Sequence, residues 1–350
     1  MRISAFDHPF LSGLFGDEEA VRLFTAGADI HTMLAFEAAL AKAEAGEGII
    51  PPDAAEAVAA ACRVFEPDLA ALKTATADDG VVIPELIRQL RKAVGKPYDA
   101  HVHYGATSQD AIDTSLILRL KQLSALLFER LDALVMAFDR LDETFGAKRL
   151  MGRTRMQAAI PITVSGRISA WRDPLIRHRA RIANAAETLL VLQFGGAAGT
   201  LEKLGDKAEA VRAALARELG LPDVPQWHSQ RDRLAEFANI LALITGSLGK
   251  FGQDVALLAQ AGDEISLSGG GGSSAMPHKQ NPVAAEVLVT LARFNATQLA
   301  GFHQSMVHEQ ERSGAAWSLE WMLLPQMAVA TASSLRLAQR AADNITSLGR

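Results

Sequence analysis

The sequence predicts an all-α protein whose body is a bundle of long helices. Two apolar runs at helical spacing carry that prediction. Leu116, Leu120, Leu123, Leu127, Leu131, Leu134, Phe138 and Leu141 step by four, three, four, four, three, four and three. Leu234, Phe237, Leu241, Ile244, Leu248, Phe251, Val255 and Leu258 step alternately by three and four. Each run lays one apolar seam along a helix of more than twenty residues. The third observation is that few segments alternate with the two-residue period of a strand.

The elements follow in order. Residues 17–62 read as helix with breaks: Gly46 and Gly48 stop one segment, and Pro51 and Pro52 suit the first turn of the next. Residues 74–110 mix loop signals with one short helix, Pro84–Val94. The first long seam comes next and ends at Gly146. A third helix is expected from Ile162 to Leu192, bent near Pro174. After the second seam, a fourth helix is expected over 283–306 and a fifth over 317–343, with Pro325 as a kink. This divides the chain into an N-terminal helical domain, 1–110, and a central long-helix bundle, 111–345. Ile240, Leu243 and Leu257 add apolar surface beyond the second seam, and association of several chains would cover it. A helix buried within one chain is the plainer alternative.

Composition bounds the function. The 350 residues are 49% apolar, enough for a large core, with a net charge of -5 and both signs interspersed. That pattern gives no nucleic-acid or membrane footprint, so neither partner is expected. Cys62 is the single cysteine, which excludes an intrachain disulfide and suits a reducing cytoplasm. The opening residues carry Asp7 early and no apolar segment of signal-peptide length, and no uncharged apolar run reaches the ~20 residues of a membrane span.

The chemistry-bearing segment is "GGGGSSAMPHKQNP", residues 269–282. It lacks the Gly-Lys-Ser/Thr order of a nucleotide loop and no βαβ pattern surrounds it. Its glycines permit close approach to a ligand or movement. A passive Gly/Ser linker is the plainer reading, but the Met-Pro-His-Lys-Gln-Asn-Pro that follows is too particular for one. "HYGATSQDAIDT" (103–114) reads as a turn and helix cap, with Ser108 before an acidic residue and an apolar run. His101 and His103 lack a third ligand for a metal. "HEQER" (308–312) is not the zinc-protease motif, because Arg312 stands where the second histidine belongs. Arg312 reads as an anion contact or, equally, a solvated helix charge.

Together with "GRTRMQAAIPIT" (152–163), these segments resemble the fumarase/aspartase superfamily, in the expected order and over nearly the whole chain. The resemblance implies a bundle of that type, with a twenty-helix core in a homotetramer and each active site built from three subunits. It implies abstraction or delivery of a proton beside a carboxylate, through an aci-carboxylate that fixed N–H donors and cations stabilise. It assigns that proton to Ser273, whose pKa a closed loop must lower. It assigns substrate contacts to Ser274, Lys279 and Asn281 in the signature segment, and to Thr107, Ser108 and His103 in the second. In the third it assigns Arg153, Thr154, Arg155 and Gln157. Arg312 and Gln230, the latter in "WHSQRDRLAE" (227–236), join them. The partner implied is a small polycarboxylate, with no metal and no organic cofactor. The family's usual small C-terminal helical domain is expected to be absent here.

One departure selects within the superfamily. Many of its lyases carry a histidine acid after "GRT"; here the residue is Arg155. Arginine stays protonated and makes a poor acid. A carboxylate that attacks or leaves needs none, since its conjugate acid has a pKa of ~4. The resemblance is therefore greatest to the cycloisomerase branch, which closes 3-carboxy-cis,cis-muconate to a lactone in protocatechuate breakdown. The alternatives are an adenylosuccinate or argininosuccinate lyase, and a catalytically silent, crystallin-like protein on the same bundle.

Overall fold

A computed structural model describes residues 4–272, 276 and 280–350. Short helices α1 (Ser12–Phe15) and α2 (Glu18–Arg22) lead into α3 (Ala26–Gly46) and α4 (Pro52–Val64). Next come α5 (Leu69–Asp79), α6 (Ile83–Val94) and the 38-residue α7 (Ser108–Phe145). Strands β1 (Arg149–Thr154) and β2 (Gln157–Thr163) form a hairpin before α8 (Val164–Leu189). Helices α9 (Ala208–Leu219) and α10 (Asp232–Ala261) follow, then β3 (Ile265–Leu267), α11 (Val283–Gln304), α12 (Gly314–Asp343) and β4 (Ile345–Leu348). β3 and β4 make a second two-stranded antiparallel sheet.

Helices α7, α8, α10, α11 and α12 pack on one another as the bundle, and α3 lies against α7, α4 and α9. Every residue of both apolar seams is at most 8% exposed in the single chain. The seams therefore find their partners inside one molecule. Ile240 is buried as well, while Leu243 remains 40% exposed. Helix α10 is long and apolar enough to cross a membrane, but the apolar window that qualifies it is mostly buried among its neighbours. Phe251 of α10 meets Phe138 of α7 and Trp171 of α8 edge to face, and the Trp171 Nε1–H donates to Asp254 Oδ2 at 2.8 Å.

The third helix begins later than its apolar pattern suggests. Residues 157–163 are strand, and the Thr163 hydroxyl caps α8 by accepting the Gly166 N–H at 3.1 Å. Pro161 sits in β2 opposite Met151, which a ribbon made only of edges tolerates. Pro174 and Pro325 both lie inside continuous helices. The division expected at residue 110 falls within the first turn of α7. Helices α5 and α9 are additions to the expected set.

Helices α10 and α11 approach so closely that only glycine fits between them. A Cβ on Gly252 would stand 2.5 Å from the Ala285 carbonyl oxygen, and one on Gly249 would stand 2.6 Å from Ala292 Cβ. Gly252→Ala therefore forces the helices apart. The expected loss is about 1–3 kcal/mol, the usual range for overpacking, read as a lower denaturant midpoint with unchanged slope. An unchanged midpoint would show that the contact yields freely.

Candidate active site

The first turn of α7 is built around two buried carboxylates. Asp110 reaches back to the Thr107 N–H at 3.0 Å and fixes the helix start. Its two oxygens also accept the Gly195 and Gly196 N–H groups, both at 2.9 Å, and its Oδ1 faces His228 Nε2 at 2.9 Å. One turn on, Asp113 takes Arg231 at 2.6 and 3.2 Å and the Trp317 Nε1–H at 3.1 Å. Arg231 is fully buried and also donates twice to Glu320, at 2.8 and 2.5 Å. Burial opposes its charge, but the two carboxylates outweigh burial and push its pKa up. The guanidinium stacks 4.9 Å from the Trp227 ring centroid.

This network brings five of the expected residues to one end of the molecule. Gln109 Nε2 donates to Asp113 at 3.0 Å and to the His228 carbonyl at 2.8 Å. Its Oε1 accepts Arg312 Nε at 2.8 Å, and Arg312 Nη2 donates to the Ala197 carbonyl at 3.2 Å. Arg312 is thus docked beside Thr107 and Ser108, both half-buried, rather than loose on a helix face. Gln230 is exposed next to the buried Arg231. His103, at the turn before α7, is held by Glu37, with Nδ1 2.6 Å from Oε1.

The other expected residues stand elsewhere. Thr154 pairs with Gln157 across a two-residue turn in which Arg155 and Met156 have φ of 47° and 66°. Such left-handed pairs match the twist of a hairpin but strain residues with a Cβ. The turn exposes Arg155, whose side chain has no partner among the described residues. Arg153 is not free: its Nη1 donates to the Glu264 carboxylate at 2.6 Å. Glu264 also accepts the Met151 N–H at 2.5 Å, and these donors outweigh burial and hold its pKa below the usual range. Arg153, Arg155, Arg167, Lys250 and Asp254 line a cavity of about 520 Å³. Lys250 and Arg167 share Asp254, so Arg155 is the unpaired cation of that cavity.

Asn281 closes the base of the signature segment. It exchanges two backbone hydrogen bonds with Gly271, both 2.9 Å. Ser273, Ser274 and Lys279 lie outside the described residues. Among the described residues, no group of three or more His, Cys, Asp or Glu is placed to hold a metal.

A family of known enzymes described as "Lyase" matches residues 7–297 of this chain. The chain belongs to that lyase family. It is 43% identical to the 3-carboxy-cis,cis-muconate cycloisomerase of Pseudomonas aeruginosa over 90% of its own length and 71% of that relative. It is 41% identical to the Pseudomonas putida enzyme of the same name, over 92% of this chain and 78% of that one. The crystal structure of a 3-carboxy-cis,cis-muconate lactonizing enzyme from Pseudomonas putida superposes with a TM-score of 0.91 at 39% identity, covering 97% of this chain and 77% of that one. The fumarase/aspartase resemblance and the long-helix bundle it implied both hold for this lyase-family chain.

The family's signature segments sit at opposite ends of the molecule. Thr107 and Ser108 open α7, and the hairpin follows its other end after 38 residues, about 57 Å at the helical rise of 1.5 Å. Glu264, just before β3, touches the hairpin, so the root of the glycine segment lies at the hairpin's end. Arg231, Glu320 and Asp113 were not singled out by sequence. The usable signal was Asp110 and Asp113 three residues apart on one helical face. Arg231→Met is expected to destabilise the lyase-family fold by about 3–5 kcal/mol, because two buried carboxylates then face each other without a cation. Arg312→Met, half-exposed, should cost far less. Chemical denaturation of both variants checks the order; equal losses would refute it.

Proposed function

We propose that this protein closes 3-carboxy-cis,cis-muconate to a carboxymuconolactone. The observation that carries the reading is 43% identity to a named cycloisomerase over nine-tenths of the chain. The hairpin supports it chemically. Arg155 occupies the exposed tip without a partner among the described residues, and a guanidinium there supplies charge but no proton. A lyase expelling an amine or hydroxyl would want an acid at that place. In the lactonisation one substrate carboxylate oxygen adds to the conjugated double bond, and electron density moves onto the neighbouring carboxylate as an aci-carboxylate. Ser273 then delivers one proton to the α carbon. The ring C–O bond and the C–H bond form, and no atom leaves. Arg155, Lys279 and Arg312 match the charge of a tricarboxylate, and Thr107, Ser108, Ser274, Asn281, Gln157, Thr154 and Gln230 orient it.

We further infer that the working unit is a homotetramer. Segments about 57 Å apart along α7 do not converge on one small substrate within a chain, so neighbouring copies must bring them together. Leu243 and the exposed hairpin residues Met156 and Ile160 are apolar surface available for such contacts. Arg153 takes a smaller role than the resemblance implied: tied to Glu264, it anchors the hairpin.

Ultraviolet absorbance with 3-carboxy-cis,cis-muconate, against adenylosuccinate and argininosuccinate, tests the reaction. Loss of the diene absorbance with lactone as product is expected; cleavage of a succinyl substrate with carboxymuconate untouched would overturn the reading. Ser273→Ala should keep the fold and lose nearly all turnover, whereas an inactive Ser274→Ala beside an active Ser273→Ala would assign the proton to the wrong serine. Arg155→His should raise KM for carboxymuconate without raising kcat, a neutral ring losing a charge-assisted contact of roughly 1.5–3 kcal/mol. Sedimentation should find a tetramer, and an active monomer would sink the shared site.

A further inference from the structure

Helix α3 carries two carboxylates into the core. Glu37 is 1% exposed and Glu44 is 0% exposed. Glu37 Oε1 meets His103 Nδ1, while its Oε2 and both oxygens of Glu44 have no hydrogen-bond partner among the described residues. Such groups are expensive to bury unless neutral or paired. Burial, and then the Glu37 charge, push Glu44 up to about 9, so it stays a neutral acid at pH 7. One carboxylate charge therefore faces one imidazole ring.

The ring sits in a turn, with φ of 60° at His103, that runs directly into Thr107 and Ser108. Its side chain is 12% exposed, and Nε2 has no partner among the described residues. The protonation state decides what Nε2 can do. A neutral ring that gives its Nδ1–H to Glu37 presents a lone pair at Nε2, which repels a carboxylate. A protonated ring presents an N–H and a positive charge.

We propose that Glu37 is a positioning residue that holds His103 as an imidazolium, with Nε2–H turned toward a substrate carboxylate bound at the start of α7. This rests on the reading of that helix start as a carboxylate site. The surrounding charges agree. Burial alone would lower the ring's pKa, but Glu37 on α3, with a smaller push from Asp110 on α7, raises it above its ordinary value. Arg91 on α6 opposes them, and its Nη2 is held by the Val102 carbonyl at 3.0 Å. Cys62, beside Glu37, has its thiol pushed up to about 12 and adds no charge. Carboxylate binding through the ring is then present at low pH and fades as pH climbs through the raised pKa.

The test compares wild type with Glu37→Gln, Glu44→Gln and His103→Gln. In protein labelled with 13C at histidine Cε1, the resonance missing from His103→Gln among the nine histidines reports this ring. It should titrate above 6.5 in wild type and Glu44→Gln, and below 6.5 in Glu37→Gln. The Kd for tricarballylate, an inert tricarboxylate, is then measured by calorimetry from pH 5.5 to 9. In wild type it should rise as the ring loses its proton. In Glu37→Gln the rise should begin at lower pH, so that binding near neutrality is weaker than in wild type. His103→Gln should show no such limb, and it serves as the measurement if Glu37→Gln fails to fold. A ring titration unmoved by Glu37→Gln, a limb surviving in His103→Gln, or a limb shifted equally by Glu44→Gln would each overturn the proposal. Neither arm needs turnover, so lack of activity on carboxymuconate would sink the cycloisomerase reading and leave these outcomes standing.

Discussion

The buried guanidinium of Arg231 is the constraint on which the candidate site depends. It stands at the start of α10 and binds Asp113 of α7 and Glu320 of α12 at once. A charge with no water around it is tolerable only when it is paired and hydrogen-bonded. Here four donated bonds and the Trp227 face hold it, and the fork geometry fixes three helix segments relative to one another. Gln109, and through it Arg312, inherit their positions from that arrangement. Gln109 and Arg312 at this end are therefore placed by buried electrostatics, with the apolar bundle supplying the dry setting in which those bonds are strong.

At the other end the same logic uses a smaller device. Glu264 ends the turn after α10 and takes both a backbone N–H and Arg153 from the hairpin, while its own carbonyl accepts the Gly349 N–H at 2.8 Å. Hairpin, β3 and β4 are thus joined at one residue, Glu264. Spending Arg153 on that joint leaves Arg155 as the cation at the hairpin's tip, at a turn whose left-handed backbone projects it from the ribbon. The strain of two non-glycine residues in that turn is sustained by the pairing on either side of it.

The long helices were legible in the sequence because a buried seam must repeat at the helical period, and both seams are buried as their spacing implied. The hairpin was not, because its strands carry no alternation: β2 is exposed along nearly its whole length, so no face selects apolar residues. Its turn also uses Arg155-Met156 where Asn-Gly would have announced it. Helix α5 was hidden by β-branched Thr74 and Thr76, and its start and stop rest on the Asp68 cap and the left-handed Gly80. The site was legible only as separate segments. Asp113, Arg231 and Glu320 are ordinary residues apart, and the contacts that give them meaning span 118 and 89 positions. Glu37, 66 positions before His103, is hidden for the same reason.

The length of α7 turns these local arrangements into a statement about assembly. A rigid 38-residue helix keeps the Arg231 cluster and the Glu264 cluster at fixed, distant places. The first cluster lies beside the turn that carries His103, and the second lies beside the hairpin whose exposed tip carries Arg155. Neither alone matches the three charges of a tricarboxylate. If copies pack with their long helices antiparallel, the Arg155 end of one chain lies beside the His103 end of another, and the charges combine. If the two half-sites serve one substrate, as proposed, the rigidity that holds them apart within one chain is the reason association would be needed to bring them together.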